Sequence, residues 1–283
     1  MNHRTAPRAR PRLLSRVRTR TPAARTRTPA ALGGPAALAA AFLAVPLAGV
    51  VTHTPWRDLA GQLSSPDVVR ALGLSLLVSA LALLLSLVLG VPLAWLLARA
   101  DFPGKALVRS LVLLPMVLPP TVAGVALLRG FGRGGLLGGP LEAVGVTLPF
   151  STAGAVVAAA FVAMPFLVIG LEGALAGIDP RYEEAAATMG ATLPQTLRYV
   201  TLPMVAPSLA AGAALCWARA LGEFGATITF AGNLPGVTQT LPLQVYLLLQ
   251  QDPAAATSVS LLLLAVAAAV LIALRGRWLG HSR

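Results

Sequence analysis

Arg219 and Glu223 are the residues whose chemistry is hardest to explain as packing, because they lie inside a long apolar stretch. Ionisable groups at mid-depth in a membrane helix are costly, and they usually face a protein interior or a water-filled path. Four residues apart on a helix, the guanidinium and the carboxylate can pair on one face. The spacing predicts an ion pair with two possible roles: a structural pair, or a direct part in gating or conduction.

Three threonines near glycine and proline residues form a second set of polar candidates. Thr121 follows Pro119 and Pro120, and Thr227 and Thr229 follow a Gly-Glu-Phe-Gly segment. Near an interrupted helix, such hydroxyls and freed backbone N–H groups can bind a passing solute weakly. The simpler alternative is that each hydroxyl donates back to a carbonyl of its own helix.

Other chemical motifs are absent from the sequence or stand in the wrong context. Cys216 is the only cysteine, and the three histidines form no HExxH pattern, so a disulfide within the chain and a cysteine-based metal cluster are excluded. Gly130, Gly132 and Gly135 form a GxGxxG pattern, but no acidic residue follows about 20 positions later, and a flexible loop is the better interpretation. No GxxxxGK[ST] phosphate loop is present. We therefore predict no catalytic residue, no metal site and no cofactor in this chain.

Composition predicts an all-α, polytopic membrane protein. Hydrophobic residues make up 56% of the chain and charged residues only 11%, a balance typical of membrane proteins. A helix needs about 20 apolar residues to cross the hydrocarbon core. Runs of this kind predict about six transmembrane helices within one domain, 35–283, at 35–52, 71–98, 106–128, 150–171, 205–231 and 256–274.

The net charge of +12 is concentrated at the N-terminus, where nine of the 22 basic residues lie in the first 31 positions. No aromatic residue accompanies these arginines, so stacking on nucleic acid is unsupported. We expect residues 1–34 to form a disordered cytoplasmic tail near anionic lipid; a targeting segment is the alternative.

Orientation follows from the loops, because Lys and Arg are retained on the cytoplasmic side. With both termini inside, eight basic residues beyond the tail fall on the inner side. The outer loops hold four: Arg57, Arg70, Arg129 and Arg133. The chain is therefore expected in the cytoplasmic membrane with both termini in the cytoplasm.

The inner loop between the fourth and fifth spans, Glu172 to Pro203, is long and predicts two short helices. Asp179 can cap a helix that begins at Pro180. Gly190 is placed to turn the chain sharply into a second helix, which Leu202 and Pro203 are expected to close. The hairpin is predicted at about 179–203.

One face of the first hairpin helix is predicted to carry Tyr182, Ala185, Ala186 and Met189. A helix with such a face can lie in a groove of another protein. Taken alone, an ordinary amphipathic loop helix is an equal alternative.

The same loop resembles the conserved loop of permeases from ATP-binding-cassette (ABC) importers: Glu-Ala-Ala, three residues, Gly, nine residues, Ile, one residue, Leu-Pro. Six of its seven fixed positions match, and Val200 replaces the Ile. In that family the hairpin docks on the ATPase subunit. The resemblance implies that the chain is a permease subunit without enzymatic activity of its own, and that ATP is bound by a partner subunit. The ATPase-coupling residues are then Glu183, Glu184, Ala185, Ala186, Gly190, Leu202 and Pro203.

Three further stretches narrow the resemblance to molybdate-type permeases, with sulfate/thiosulfate and tungstate permeases as near relatives. They are LAWLLARADFPGK from Leu93, LPMVLPPTVAG from Leu114 and RALGEFGATITFAGNLPGVTQTLPLQVY from Arg219. The resemblance covers roughly residues 68–275. It implies a homodimer of this chain with two ATPase subunits, and an extracytoplasmic oxyanion-binding protein that delivers the substrate. The candidates for the conduit or gate are Thr121, Arg219, Glu223, Thr227 and Thr229.

Two alternatives to molybdate import stay open at this point. A sulfate, thiosulfate or tungstate permease has the same architecture, because the substrates differ mainly in size. From another class, a secondary transporter or channel would work without an ATPase. An intramembrane enzyme would need a nucleophile with a base, or a cluster of metal ligands, and Glu223 alone provides neither.

Overall fold

The structure, a computed structural model, describes residues 30–279, with side-chain surroundings for residues 33–270 and Ile272. Within these residues all regular structure is helical, which confirms the all-α class. The helices are α1 Ala30–His53, α2 Leu59–Leu63, α3 Pro66–Arg99, α4 Lys105–Val117, α5 Pro120–Phe131, α6 Gly138–Ala143, α7 Thr152–Ala176, α8 Arg181–Thr188, α9 Leu193–Thr196, α10 Leu202–Leu221, α11 Gly225–Phe230, α12 Leu241–Gln251 and α13 Pro253–Leu279. Most of the predicted basic tail, residues 1–29, lies outside the described residues.

Five helical stretches in the described part are long and apolar enough to cross a membrane. They are Gly33–His53, Pro66–Arg99, Thr152–Ala176, Leu193–Leu221 and Pro253–Val270. The remaining predicted crossing corresponds to α4 and the shorter apolar helix α5. The prediction of a polytopic membrane protein with about six crossings is thus confirmed.

The described residues up to Leu47 belong to one compact unit and those from Ala48 onward to a second, which contains all the packing described below. At its centre, α3 packs against α7 and α10 along a stripe of small residues. A Cβ atom added at Gly90 would lie 3.2 Å from Cγ2 of Val168 on α7. Small residues allow two helix backbones to approach closely. Such packing matters in a membrane, because lipid is as apolar as the side chains and the hydrophobic effect does not drive helices together. The buried stripe of α3 comprises Val68, Ala71, Ser75, Val78, Ser79, Ala82, Ser86, Gly90, Ala94 and Leu97.

Two predicted crossings, 106–128 and 205–231, are interrupted rather than continuous. The first breaks at Leu118 and Pro119, where ψ angles of 137° and 135° separate α4 from α5. Two consecutive prolines explain this break, because proline lacks an N–H and disfavours helical backbone in the residue before it. The second break, at 222–224, separates α10 from α11. Hydropathy alone does not detect these interruptions, since the flanking residues are apolar.

The two breaks lie side by side, because α11 packs on α5. A Cβ atom added at Gly225, the first residue of α11, would collide with the ring of Pro120, the first residue of α5. One turn further along each helix, a Cβ at Gly124 would collide with the side chain of Thr229. Glycine at both contacts allows the interrupted helices to cross closely.

We expect Gly225→Ala to destabilise the protein, because its methyl group meets the rigid Pro120 ring rather than a flexible side chain. Overpacking of this kind costs about 1–3 kcal/mol. Gly73→Ala is the matched control, since a Cβ there meets no atom within 4 Å and alanine favours a helix interior by up to about 1 kcal/mol. Thermal unfolding in detergent, followed by circular dichroism, should show a lower midpoint for Gly225→Ala alone. Equal midpoints would contradict the predicted clash.

Candidate functional site

The hairpin begins with α8, one residue after the start predicted from the sequence. The Asp179 side-chain oxygen Oδ1 accepts the backbone N–H of Arg181 at 3.0 Å, which satisfies one donor that the helix leaves unpaired. The helix begins at Arg181 and Pro180 is its N-cap, one position from the prediction. Glu183 and Glu184 lie in the first turn, where their charge favours the positive end of the helix dipole.

Gly190 turns the chain after α8 with a φ of +84°. The backbone N–H of Ala191 donates to the carbonyl of Ala186 at 3.0 Å, and that of Gly190 donates to Ala187 at 2.9 Å. These two hydrogen bonds form a Schellman motif, whose left-handed residue favours glycine. The predicted helix-ending turn is therefore present at the predicted residue.

The second helix of the hairpin does not end at Leu202 and Pro203, which corrects the prediction. α9 starts with a capping box between Thr192 and Gln195, passes through a π turn at Leu197–Thr201 and continues directly as α10. The wider π turn lies just before Pro203, where it relieves the contact between the proline ring and the carbonyls of the preceding turn. The second arm of the hairpin is thus continuous with a membrane-crossing helix.

The outer side of α8 is exposed and partly apolar. Tyr182 is 56% exposed and Met189 82%, with Ala185 exposed on the same helix. Ala186, predicted to share this face, is only 4% exposed and packs inward. Adjacent residues on a helix point about 100° apart, so Ala185 and Ala186 lie on different faces of α8.

The second arm adds further exposed residues to the hairpin. Leu193 is 84% exposed and Tyr199 68%; Glu184, Leu202 and Pro203 are also exposed. Large apolar and aromatic side chains that remain exposed on an ordered segment are typical of a surface that binds another protein.

Glu183 does not belong to this exposed surface. Its oxygen Oε1 accepts a hydrogen bond from Nη2 of Arg99, the last residue of α3, at 2.8 Å. The hydroxyl of Thr201, in the π turn, donates to the same oxygen at 2.9 Å. Sequence reasoning missed Arg99 and Thr201, because 84 and 18 residues respectively separate them from Glu183.

The second candidate site lies at the break between α10 and α11. Arg219 Nη1 is 2.8 Å from Glu223 Oε2, so the predicted pair forms. The two residues do not share a continuous helix, because α10 ends at Leu221. The other carboxylate oxygen of Glu223 accepts the backbone N–H of Ala226 at 2.8 Å. Glu223 therefore joins both sides of the break; its side chain is 2% exposed and that of Arg219 is 30% exposed.

The three threonines have different surroundings. The hydroxyl of Thr229 donates to the carbonyl of Gly225 at 2.9 Å, the internal bond that the simpler interpretation predicted. Thr227 is 1% exposed, and Thr121 is exposed next to Pro120. Of the three threonines, Thr121 is the most exposed.

Comparison with known proteins identifies relatives along most of the chain. Residues 90–280 match the family described as binding-protein-dependent transport system inner membrane component. The molybdenum transport system permease protein ModB of Mycobacterium tuberculosis is 46% identical, covering 86% of this chain and 92% of that protein. The sulfate transport system permease protein CysT of Escherichia coli is 36% identical, covering 82% and 85%.

A solved structure supports the fold independently. The crystal structure of a bacterial ABC transporter involved in the import of the acidic polysaccharide alginate superimposes with a TM-score of 0.72. The match covers 89% of this chain and 95% of that chain at 20% identity. At this identity, the similarity applies to the helical architecture alone.

Proposed function

Because the chain belongs to the family of binding-protein-dependent transport system inner membrane components, we propose that it is the permease subunit of an ABC importer that conducts molybdate. In this proposal two copies of the chain form the pathway and bind two ATPase subunits, which hydrolyse ATP. An extracytoplasmic oxyanion-binding protein delivers the substrate. Identity of 46% to a molybdenum transport permease, against 36% to a sulfate permease, favours molybdate.

The main structural support for an ATPase partner is the exposed surface of an ordered hairpin. Tyr182, Met189, Leu193 and Tyr199 present apolar area, while the hairpin backbone is fixed by the Gly190 turn and the capping box. An ATPase subunit with a matching groove would bury these side chains. Closure of two ATPase subunits would then move each hairpin and switch access to the pathway between the two sides.

Charge supports an orientation with this hairpin in the cytoplasm. The Arg99–Glu183 contact brings the end of α3 to the hairpin, and Lys105 and Arg109 follow closely in the chain. Arg181 and Arg198 lie on the hairpin itself. Basic residues grouped at one end of a helical bundle favour the cytoplasmic side, so both termini are proposed to be cytoplasmic.

The adjacent breaks at 118–119 and 222–224 are the proposed part of the conduit. Interrupted helices expose backbone groups that can contact a solute at membrane depth. Glu223 alone would repel an oxyanion, but its carboxylate is neutralised by Arg219. Weak contacts at this point suit a conduit, which must release what it binds, and tight selectivity would then reside in the binding protein.

The test is substrate-stimulated ATP hydrolysis by the complete complex in liposomes, titrated with molybdate, tungstate and sulfate. We expect half-maximal stimulation by molybdate at a far lower concentration than by sulfate. Stimulation by sulfate alone would move the chain to the related sulfate permeases. Uptake without any associated ATPase would instead support a secondary transporter and overturn the proposal.

A further inference from the structure

We infer that Glu183 is a positioning residue that transmits movement of the hairpin to two membrane helices, an inference that rests on the proposed permease function. Its neighbour Glu184 is exposed, whereas the Glu183 side chain is 26% exposed and bonded inward. The two acidic residues of the first turn therefore have different roles: Glu184 lies on the exposed surface and Glu183 holds the hairpin to the bundle.

A single carboxylate oxygen joins three segments. Oε1 of Glu183, in the first turn of α8, accepts from Nη2 of Arg99 at 2.8 Å and from Oγ1 of Thr201 at 2.9 Å. Arg99 is the last residue of α3, and Thr201 is the last residue of the π turn that leads into α10. The hairpin is thus fastened to the end of one membrane helix and to the start of another.

Both partners of Glu183 are themselves held in place. The guanidinium carbon of Arg99 lies 6.0 Å from the centroid of the Trp95 ring, within the range of a cation–π interaction. Thr201 is fully buried. Ala186, three residues after Glu183 and on the same side of α8, is also buried. These contacts leave little freedom for α8 to move separately from its partners.

Displacement of α8 by a bound ATPase subunit would therefore act on α3 and α10 together. Both helices pack against α7, so their joint movement would change the arrangement at the centre of the bundle. Charge-assisted hydrogen bonds are about twice as strong as neutral ones and keep a defined geometry. Loss of the Glu183 charge should weaken this mechanical connection while leaving the exposed docking surface unchanged.

The test is Glu183→Gln in the complete complex, with ATP hydrolysis and substrate uptake measured in the same liposomes. We expect ATPase binding to stay within about twofold of wild type and uptake to fall roughly tenfold, the loss expected for a charged hydrogen bond. The number of ATP molecules hydrolysed per substrate should rise. Asp101→Asn is the matched control, because Asp101 pairs with Lys105 at the same end of the bundle but is fully exposed.

Charge reversal separates a positioning role from general damage. Arg99→Glu or Glu183→Arg alone should uncouple transport, and the double variant should recover a substantial part of the uptake. If Glu183→Gln fails to assemble, Thr201→Val, which removes only one donor, should give a smaller loss in the same direction. The inference would be overturned if Glu183→Gln hydrolysed the wild-type number of ATP molecules per substrate transported. Where Glu183→Gln does not assemble, the same result in Thr201→Val would overturn it. A folded charge-reversal double variant whose uptake is no higher than that of either single variant would also overturn it. Failure of the wild-type complex to transport would contradict the proposed function instead.

Discussion

Gly190→Val is expected to reduce substrate uptake roughly tenfold while the membrane helices stay folded. Gly190 has a φ of +84°, and an L-residue with a side chain pays about 1–2 kcal/mol for this left-handed backbone, with β-branched residues among the least tolerant. Since about 1.4 kcal/mol corresponds to a factor of ten in an equilibrium, this cost would shift the equilibrium against the native turn by roughly five- to thirty-fold. Uptake and thermal unfolding of the purified complex should be measured together.

Gly190→Asn is the control that isolates backbone conformation as the cause. A Cβ atom at this position meets no neighbour within 4 Å, so neither variant creates a clash, and asparagine tolerates the left-handed region. We expect Gly190→Asn to transport close to wild type. If the two variants are equally impaired, the conformation of this residue is not the cause, and normal uptake by Gly190→Val would contradict the role assigned to the turn.

The part of the hairpin that sequence predicted best is governed by local rules. Asp179, Pro180 and Gly190 act on backbone groups within a few residues of themselves, and helix caps of this kind have strong residue preferences. The long membrane helices are likewise predictable because a bilayer demands an uninterrupted apolar length. These features need no knowledge of the rest of the fold.

The main error of the sequence prediction was to treat two interrupted crossings as continuous helices. Prolines favour such interruptions locally, but packing against other helices can outweigh their effect. Pro119 and Pro120 break one crossing, whereas Pro92 and Pro165 lie inside continuous helices. Packing in the bundle can compensate a missing hydrogen bond, so a proline alone does not determine a break. Pro203 is a further example, because the π turn before it accommodates the proline ring and the helix continues.

Contacts between distant residues could not be predicted from one sequence. The position of Glu183 in the first turn of a helix indicates a favourable interaction with the helix dipole, and nothing local points to Arg99. Likewise, the burial of Ala186 depends on how α8 packs against α9 and the π turn. The Arg219–Glu223 pair was predictable because its two members are four residues apart.

Arg219→Gln is expected to be the most destabilising substitution at the proposed conduit. It leaves the Glu223 carboxylate, which is 2% exposed, without its cation, and removing one partner of a buried ion pair costs about 3–5 kcal/mol. Glu223→Gln should cost less, because the glutamine oxygen can still accept the N–H of Ala226 and Arg219 is more accessible. Thermal unfolding in detergent should rank wild type above Glu223→Gln and Glu223→Gln above Arg219→Gln.

The double variant Arg219→Gln/Glu223→Gln separates a structural pair from a residue that contacts the substrate. With both charges removed, no buried charge is left uncompensated, and we expect the unfolding midpoint to return close to wild type. We expect uptake to stay several-fold lower, since the double variant removes a guanidinium that is 30% exposed beside the break and available for weak contact with an oxyanion. Recovery of both stability and uptake would assign the pair a structural role alone and place the substrate contacts elsewhere along the breaks.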